Sequence, residues 1–211
     1  MISRKYANFD GINAVIIDYL QKIYLLQNLI NTVKCPNDET LYGGEKMKIL
    51  GYTLEQFAWI GVRITLGWTL LWAFLDKTFG IYPTIPAHSW LSGGSPTAGY
   101  LGYATSGPLA GLYQGLAGNA AVDVLFMLAL LGVGVAMILG IGMKIAGYSG
   151  AALMVLLWST NLPPANNPLI DEHIVFMILF LGLTVVKAGQ WLGLGKWWVN
   201  TPIVKKFPFL E

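Results

Sequence analysis

Residues 124–143 read VLFMLALLGVGVAMILGIGM, twenty consecutive positions without a charge. A helix crossing the hydrocarbon core needs about 20 mainly apolar residues. Working outward, residues 145–162 (IAGYSGAALMVLLWSTNL) are uncharged as well, and 170–187 (IDEHIVFMILFLGLTVVK) keeps its charges at its two ends. Upstream, residues 56–75 (QFAWIGVRITLGWTLLWAFL) carry one charge, Arg63. The breaks between these runs have physical causes. Gly140-Ile141-Gly142 interrupts a helix cheaply, Pro163-Pro164 ends one, and Asn166-Asn167-Pro168 is a turn with side chains able to cap the next. The four runs predict an all-α membrane protein, a four-helix transmembrane bundle.

Composition agrees. Of 211 residues 55% are hydrophobic and 11% charged, against roughly 25% charged in a soluble domain. That is too few charges to coat four apolar helices in water. Thirteen Lys and Arg against eleven Asp and Glu leave no basic excess, which argues against a nucleic-acid partner. One cysteine, Cys35, forms no internal disulfide and no redox pair. Two histidines cannot build a multi-histidine metal site while also holding haem, so no metal centre and no cofactor held by this chain alone are expected.

Charge placement predicts orientation. Six Lys or Arg precede the first run, Lys144 lies between the second and third, and four end or follow the last. With four spans these fall on one side and Lys77 alone falls on the other, so both termini are expected in the cytoplasm and the chain in the cytoplasmic membrane as a multi-pass protein. Residues 12–30 (INAVIIDYLQKIYLLQNLI) pair Asp18 with Lys22 four positions on, and read as an N-terminal amphipathic helix lying in the interface or on a partner. The alternative is a fifth, polar span. The expected organisation is this helix and a cytoplasmic tether over 1–53, the membrane domain over 54–190, and an interfacial tail over 191–211.

Residues 78–122 form a long uncharged outer loop without Asp, Glu, Lys or Arg. Such a segment is expected to fold as a cap or to meet a partner. Within it a short helix near 108–117 is expected to start at Pro108, with Gly107, Gly111 and Gly115 making one smooth face for close packing.

Polar residues collect at the predicted outer edge: Asp76, Lys77, Asp123, Asn161, Asp171, Glu172 and His173. Asp123 and Asp171 also suit helix N-termini, where backbone N–H groups favour an anion. The functional reading takes Glu172, His173, Asp123 and Asp76 as the catalytic candidates, exchanging protons with a redox substrate, because imidazole changes charge near neutral pH. Arg63 needs a partner within the membrane. It either snorkels to the inner headgroups, anchors a bound quinone headgroup or anion, or pairs with another subunit. Trp72, Trp90 and Trp158 are candidates for an aromatic slot around a quinone ring, beside their simpler role as interface anchors.

The chain resembles the DoxX/DoxD family of small membrane proteins, of the DoxD type. The stretches that carry the resemblance are Trp90-Leu91-Ser92-Gly93-Gly94-Ser95-Pro96-Thr97, Gly107-Pro108-Leu109-Ala110, Leu116-Ala117-Gly118-Asn119, Asp123-Val124-Leu125-Phe126-Met127, Leu139-Gly140-Ile141-Gly142-Met143, Asn166-Asn167-Pro168-Leu169-Ile170-Asp171-Glu172-His173 and Gly193-Leu194-Gly195-Lys196-Trp197-Trp198. The resemblance runs from about residue 54 onward. It implies a membrane subunit of a thiosulfate:quinone oxidoreductase, with a second subunit, a small sulfur anion as electron donor and a quinone as acceptor. Residues 1–50 depart from the minimal family pattern and suggest docking to a larger assembly. Two classes of function stay open. One is a quinone-linked redox subunit. The other is a non-catalytic accessory subunit filling a seam in a larger respiratory or photosynthetic complex.

Overall fold

The structure, a computed structural model, describes residues 48–49, 51–164, 167 and 169–211. The expected amphipathic helix at 12–30 and Cys35 lie outside the described residues.

The first long helix, α1 (Leu54–Phe79), opens with a capping box. Thr53 accepts from the backbone of Gln56 at 3.3 Å, and Gln56 accepts from the backbone of Thr53 at 3.1 Å. It stops at Gly80 in the left-handed conformation. A single turn, α2 (Ala110–Gln114), sits within the uncharged segment. Helix α3 (Ala120–Leu139) starts on Asn119, whose side chain accepts from Ala121 and Val122 N–H, and stops at Gly140, φ 73°. Helix α4 (Met143–Ser159) follows at once. Helix α5 (Glu172–Val185) is capped by Asp171. Short helices α6 (Gly195–Val199) and α7 (Pro202–Lys206) make up the tail.

The four-helix transmembrane bundle is not what forms. Among the described residues two helices are long and apolar enough to cross a membrane, Leu54–Phe79 with 26 residues and Ala120–Leu139 with 20. Helices α4 and α5 have 17 and 14 residues. At 1.5 Å per residue they reach about 26 and 21 Å, short of the roughly 30 Å hydrocarbon core. An apolar run overstates a helix when its ends go to turns. The run 145–162 overshoots α4, which ends at Ser159 where Thr160 and Asn161 turn to meet the cap. Lys187, at φ 53°, turns the chain away after Val185 and into a 3-10 segment, Ala188–Gln190.

Helix α1 packs on α3, and α4 on α5, with α3 and α4 joining the pairs less closely. Small residues set both tight crossings. A Cβ on Gly67 would lie 2.9 Å from the Met137 Cβ, and one on Gly134 2.9 Å from the Leu71 nitrogen. Gly150 makes room for the Phe180 ring in the same way. Leu66, Leu70, Met127, Leu130, Met154 and Leu183 fill the core between them.

The uncharged segment 78–122 is a folded cap. Short 3-10 turns at Pro86–His88 and Trp90–Ser92 and a π turn at Tyr100–Ala104 occupy it. It is tied to the end of α4. Ser106 N–H donates to Thr160 O at 3.0 Å, and the Tyr100 and Thr160 hydroxyls share a bond at 2.8 Å. The glycine face is only partly used. Gly107 lies against the Leu162 backbone, whereas a Cβ on Gly111 would meet nothing within 4 Å.

Candidate functional site

The cap and the outer ends of the helices line a cavity of about 1030 Å³. One wall is α3, through Leu125, Phe126 and Ala129. The other is α4, through Ala152, Leu153 and Leu156. Tyr100, Leu101 and Tyr113 of the cap close over it. Polar groups gather at one end: Lys77, Asn161, Asp171, Glu172 and His173. An apolar chamber with a few convergent polar groups is the usual form of a small-molecule site.

The polar end is built by the cap of α5. Asp171 Oδ1 accepts from the backbone N–H of His173 at 3.0 Å and of Ile174 at 3.3 Å. Its other oxygen, Oδ2, lies 2.9 Å from His173 Nδ1. One carboxylate thus starts the helix and orients the imidazole, as a catalytic or metal-bound histidine is commonly oriented. Burial alone would raise the Asp171 pKa. The bonds from the His173 ring and from the Ile174 and His173 backbone outweigh it and hold the carboxyl below its ordinary value. Glu172 is exposed beside them. One ligand atom from each of Asp171, Glu172 and His173 lies within 4.8 Å of the others, so a cation held here would still need ligands from elsewhere to complete its shell.

The predicted outer cluster divides into three separate places. Asp76 is 2% exposed and is used up in its own turn, accepting from Tyr82 N–H at 2.6 Å, Thr84 N–H at 3.1 Å and the Thr84 hydroxyl at 2.7 Å. Asp123 holds the cap, accepting through Oδ1 from the Ser95 hydroxyl at 2.9 Å, Thr97 N–H at 3.1 Å and the Thr97 hydroxyl at 2.6 Å. Neither lines the cavity. Glu172 and His173 do.

Arg63 takes none of its expected positions. It is fully buried, and its guanidinium clasps backbone. Nη1 donates to Met137 O at 2.9 Å and Ile138 O at 3.4 Å; Nη2 donates to Trp191 O at 3.2 Å and Leu192 O at 2.8 Å. The last carbonyls of α3 have no partner in their own helix, and the helix dipole places negative charge there, so a cation fits. Among the described residues no carboxylate pairs with it. The tryptophan slot is not assembled either. Trp72 leans on Trp68 with ring centroids 5.9 Å apart, Trp90 packs on the core, and Trp158 Nε1 donates to Leu169 O at 3.1 Å. The aromatic groups that do face the cavity are Tyr100, Tyr113 and Phe126. Two tyrosines within an uncharged segment were the available signal for the first two.

Searches against protein-family models, curated proteins and solved structures returned no match for this chain.

Proposed function

We propose that this chain is a membrane subunit that binds a quinone-like molecule in the cavity between α3 and α4, with the Asp171–His173 pair exchanging protons with its oxygen atoms. The observation that carries the reading is the juxtaposition of an apolar chamber with one oriented imidazole at its polar end. Reducing a quinone to a quinol takes two electrons and two protons. His173 can pass a proton while Asp171 stabilises the imidazolium, and Glu172 links the pair to water. The electrons come from a redox centre on a partner subunit. The DoxD-like stretches favour a small sulfur anion as the ultimate donor, and an acidic pocket end leaves that anion to the partner.

Membrane placement rests on α1 and α3. Crossings by α1 and α3 put residues 80–119, without a charge, on the outer side and the Lys-rich flanks on the inner side, both in the cytoplasm, while the shorter α4 and α5 run up to the cap and back beside them. Close glycine-mediated helix crossings are also characteristic of membrane helices.

A second reading, the accessory subunit, is favoured by one observation. The cap presents Leu91, Tyr103 and Leu112 to the outside, and Gly111 offers open space beside them. A partner seated there would bury them.

The test is quinone reduction by the native complex purified through this chain, with thiosulfate as donor. His173→Gln, at equal assembly, should reduce turnover on the order of 10²-fold, the range for a lost acid–base group. Equal turnover removes His173 from the chemistry. An intact complex inactive with several quinones favours the accessory role.

A further inference from the structure

The cavity is not sealed along its length. Leu125 on α3 and Leu156 on α4 line it and are nevertheless 68% and 56% exposed. Ser149 and Ala152, also lining, are exposed on the same edge of α4. The chamber is therefore a cleft opening sideways between α3 and α4, which join the two helix pairs less closely than the helices within each pair are joined. Along α3 the lining reaches from Val122 to Ala129, and along α4 from Ser149 to Thr160. Counted from the outer end of each helix, that is about 13–16 Å of depth, roughly half of a hydrocarbon core. The apolar part of the lining faces sideways and the ionisable part faces the outer end.

Charge decides what head such a cleft accepts. Asp171 and Glu172 count −2 and Lys77 counts +1, so the polar end is −1 with His173 neutral and 0 with it protonated. Neither state attracts an anion. Hydrogen-bonding groups without fixed charge, Tyr100, Asn161 and Thr160, complete that end. An uncharged head with hydrogen-bonding oxygens matches it, whereas a phosphate or sulfonate does not.

We infer that the cleft between α3 and α4 receives the apolar tail of an uncharged amphiphile directly from the bilayer, sideways, while its polar head rests against the outer end. The inference rests on the proposed membrane placement and specifies the ligand class for the same cavity. The tail lies between Leu125 and Ala152.

The full-length protein in phosphatidylcholine nanodiscs tests this. The probe is radiolabelled decyl-benzoquinone; the competitors are the tail-less benzoquinone and decyl sulfonate, all compared at equal free aqueous concentration. The tail-less compound should compete at least about tenfold more weakly, because burying two methylenes is already worth that factor. Decyl sulfonate should be weaker by a similar factor. Ala152→Trp and Leu125→Trp fill the cleft from opposite walls at exposed positions, and each should weaken decyl-benzoquinone at least about tenfold. Equal competition with and without the tail, together with unchanged affinity in both Trp variants, overturns the cleft. If His173→Gln abolishes that tail-independent binding, the proposed proton exchange at the head survives alone. Tail-dependent binding together with equal turnover of His173→Gln leaves the cleft standing and overturns the role given to the imidazole. Decyl sulfonate competing as well as the quinone overturns the selection for an uncharged head. No binding of decyl-benzoquinone overturns both.

Discussion

Arg63 shows how one side chain joins distant parts of this chain. Its two Nη groups connect residue 63 to residues 137–138 and 191–192, so α1, the end of α3 and the start of the tail share a single charged clasp. Gly140 permits it: a Cβ there would lie 2.4 Å from Nη1, and φ 73° suits glycine. Arg63→Met should cost about 3 kcal/mol, since the carbonyls of Met137, Ile138, Trp191 and Leu192 lose charge-assisted donors. Arg63→Lys should recover part of this, because an ammonium can reach one carbonyl pair but lacks the fork that serves both. Thermal unfolding of the detergent-solubilised variants measures the difference. Equal stability of the Arg63→Met and Arg63→Lys variants would mean that shape, rather than donors, matters at this position.

At the scale of elements, the helix crossings depend on glycine and the tail depends on Glu211. Gly134→Leu should separate α1 from α3, because the added carbons meet the Leu71 backbone nitrogen and Gly67 O at about the Cβ distances of 2.9 and 3.1 Å. A loss of monodisperse protein on gel filtration is the expected result, while Gly132→Leu, with open space at its Cβ, should behave as wild type. Glu211 accepts from Lys144 at 3.1 Å and Lys187 at 3.0 Å, and Gln190 donates to it at 3.3 Å. Bonds from Lys187 and Lys144 outweigh partial burial and hold its carboxyl below the ordinary value. A lowered folded pKa stabilises above the unfolded value of about 4.3, and that stabilisation is lost as pH falls through the folded value. Glu211→Gln should therefore cost about 0.5–1 kcal/mol at pH 7, the range of surface ion pairs, and almost nothing once the pH has fallen below the folded value. Hydrogen exchange of residues 195–211 across pH reads this directly. A difference that persists at low pH would assign the effect to packing instead.

For the molecule as a whole, the two crossings proposed for α1 and α3 predict which surfaces face out. In a Cys35→Ser background, Tyr103→Cys, at a position 93% exposed on the cap, should react with a membrane-impermeant maleimide added to intact cells. Lys206→Cys should react only after permeabilisation. Labelling of both from outside would sink the two-crossing topology, and labelling of neither would show the cap to be covered by a partner.

How much of this was legible in residue order depends on the range of each interaction. Apolar runs, glycine stops and the Asp171 cap act over a few residues, so the helices, their breaks and the charge asymmetry of the flanks could be read directly. Helix length could not, because the ties of Thr160 and Asn161 to the cap and the turn at Lys187 remove residues from α4 and α5 that hydropathy alone assigns to them. The cap of 78–122 was recognisable as unusual from its lack of charge. Its attachment through Tyr100 and Thr160 requires partners sixty positions apart. The candidate site divides in the same way. Glu172 and His173 are adjacent in the chain, and their grouping survives. Asp76 and Asp123 share the outer edge with them, but each is satisfied by hydroxyl and amide donors of its own stretch of cap, which no count of charges reveals. Arg63 is the clearest case. Residue order identifies it as a charge within an apolar helix that needs compensation, and only the tertiary structure supplies carbonyls from residues 137–138 and 191–192, because backbone acceptors carry no signature in the side-chain alphabet.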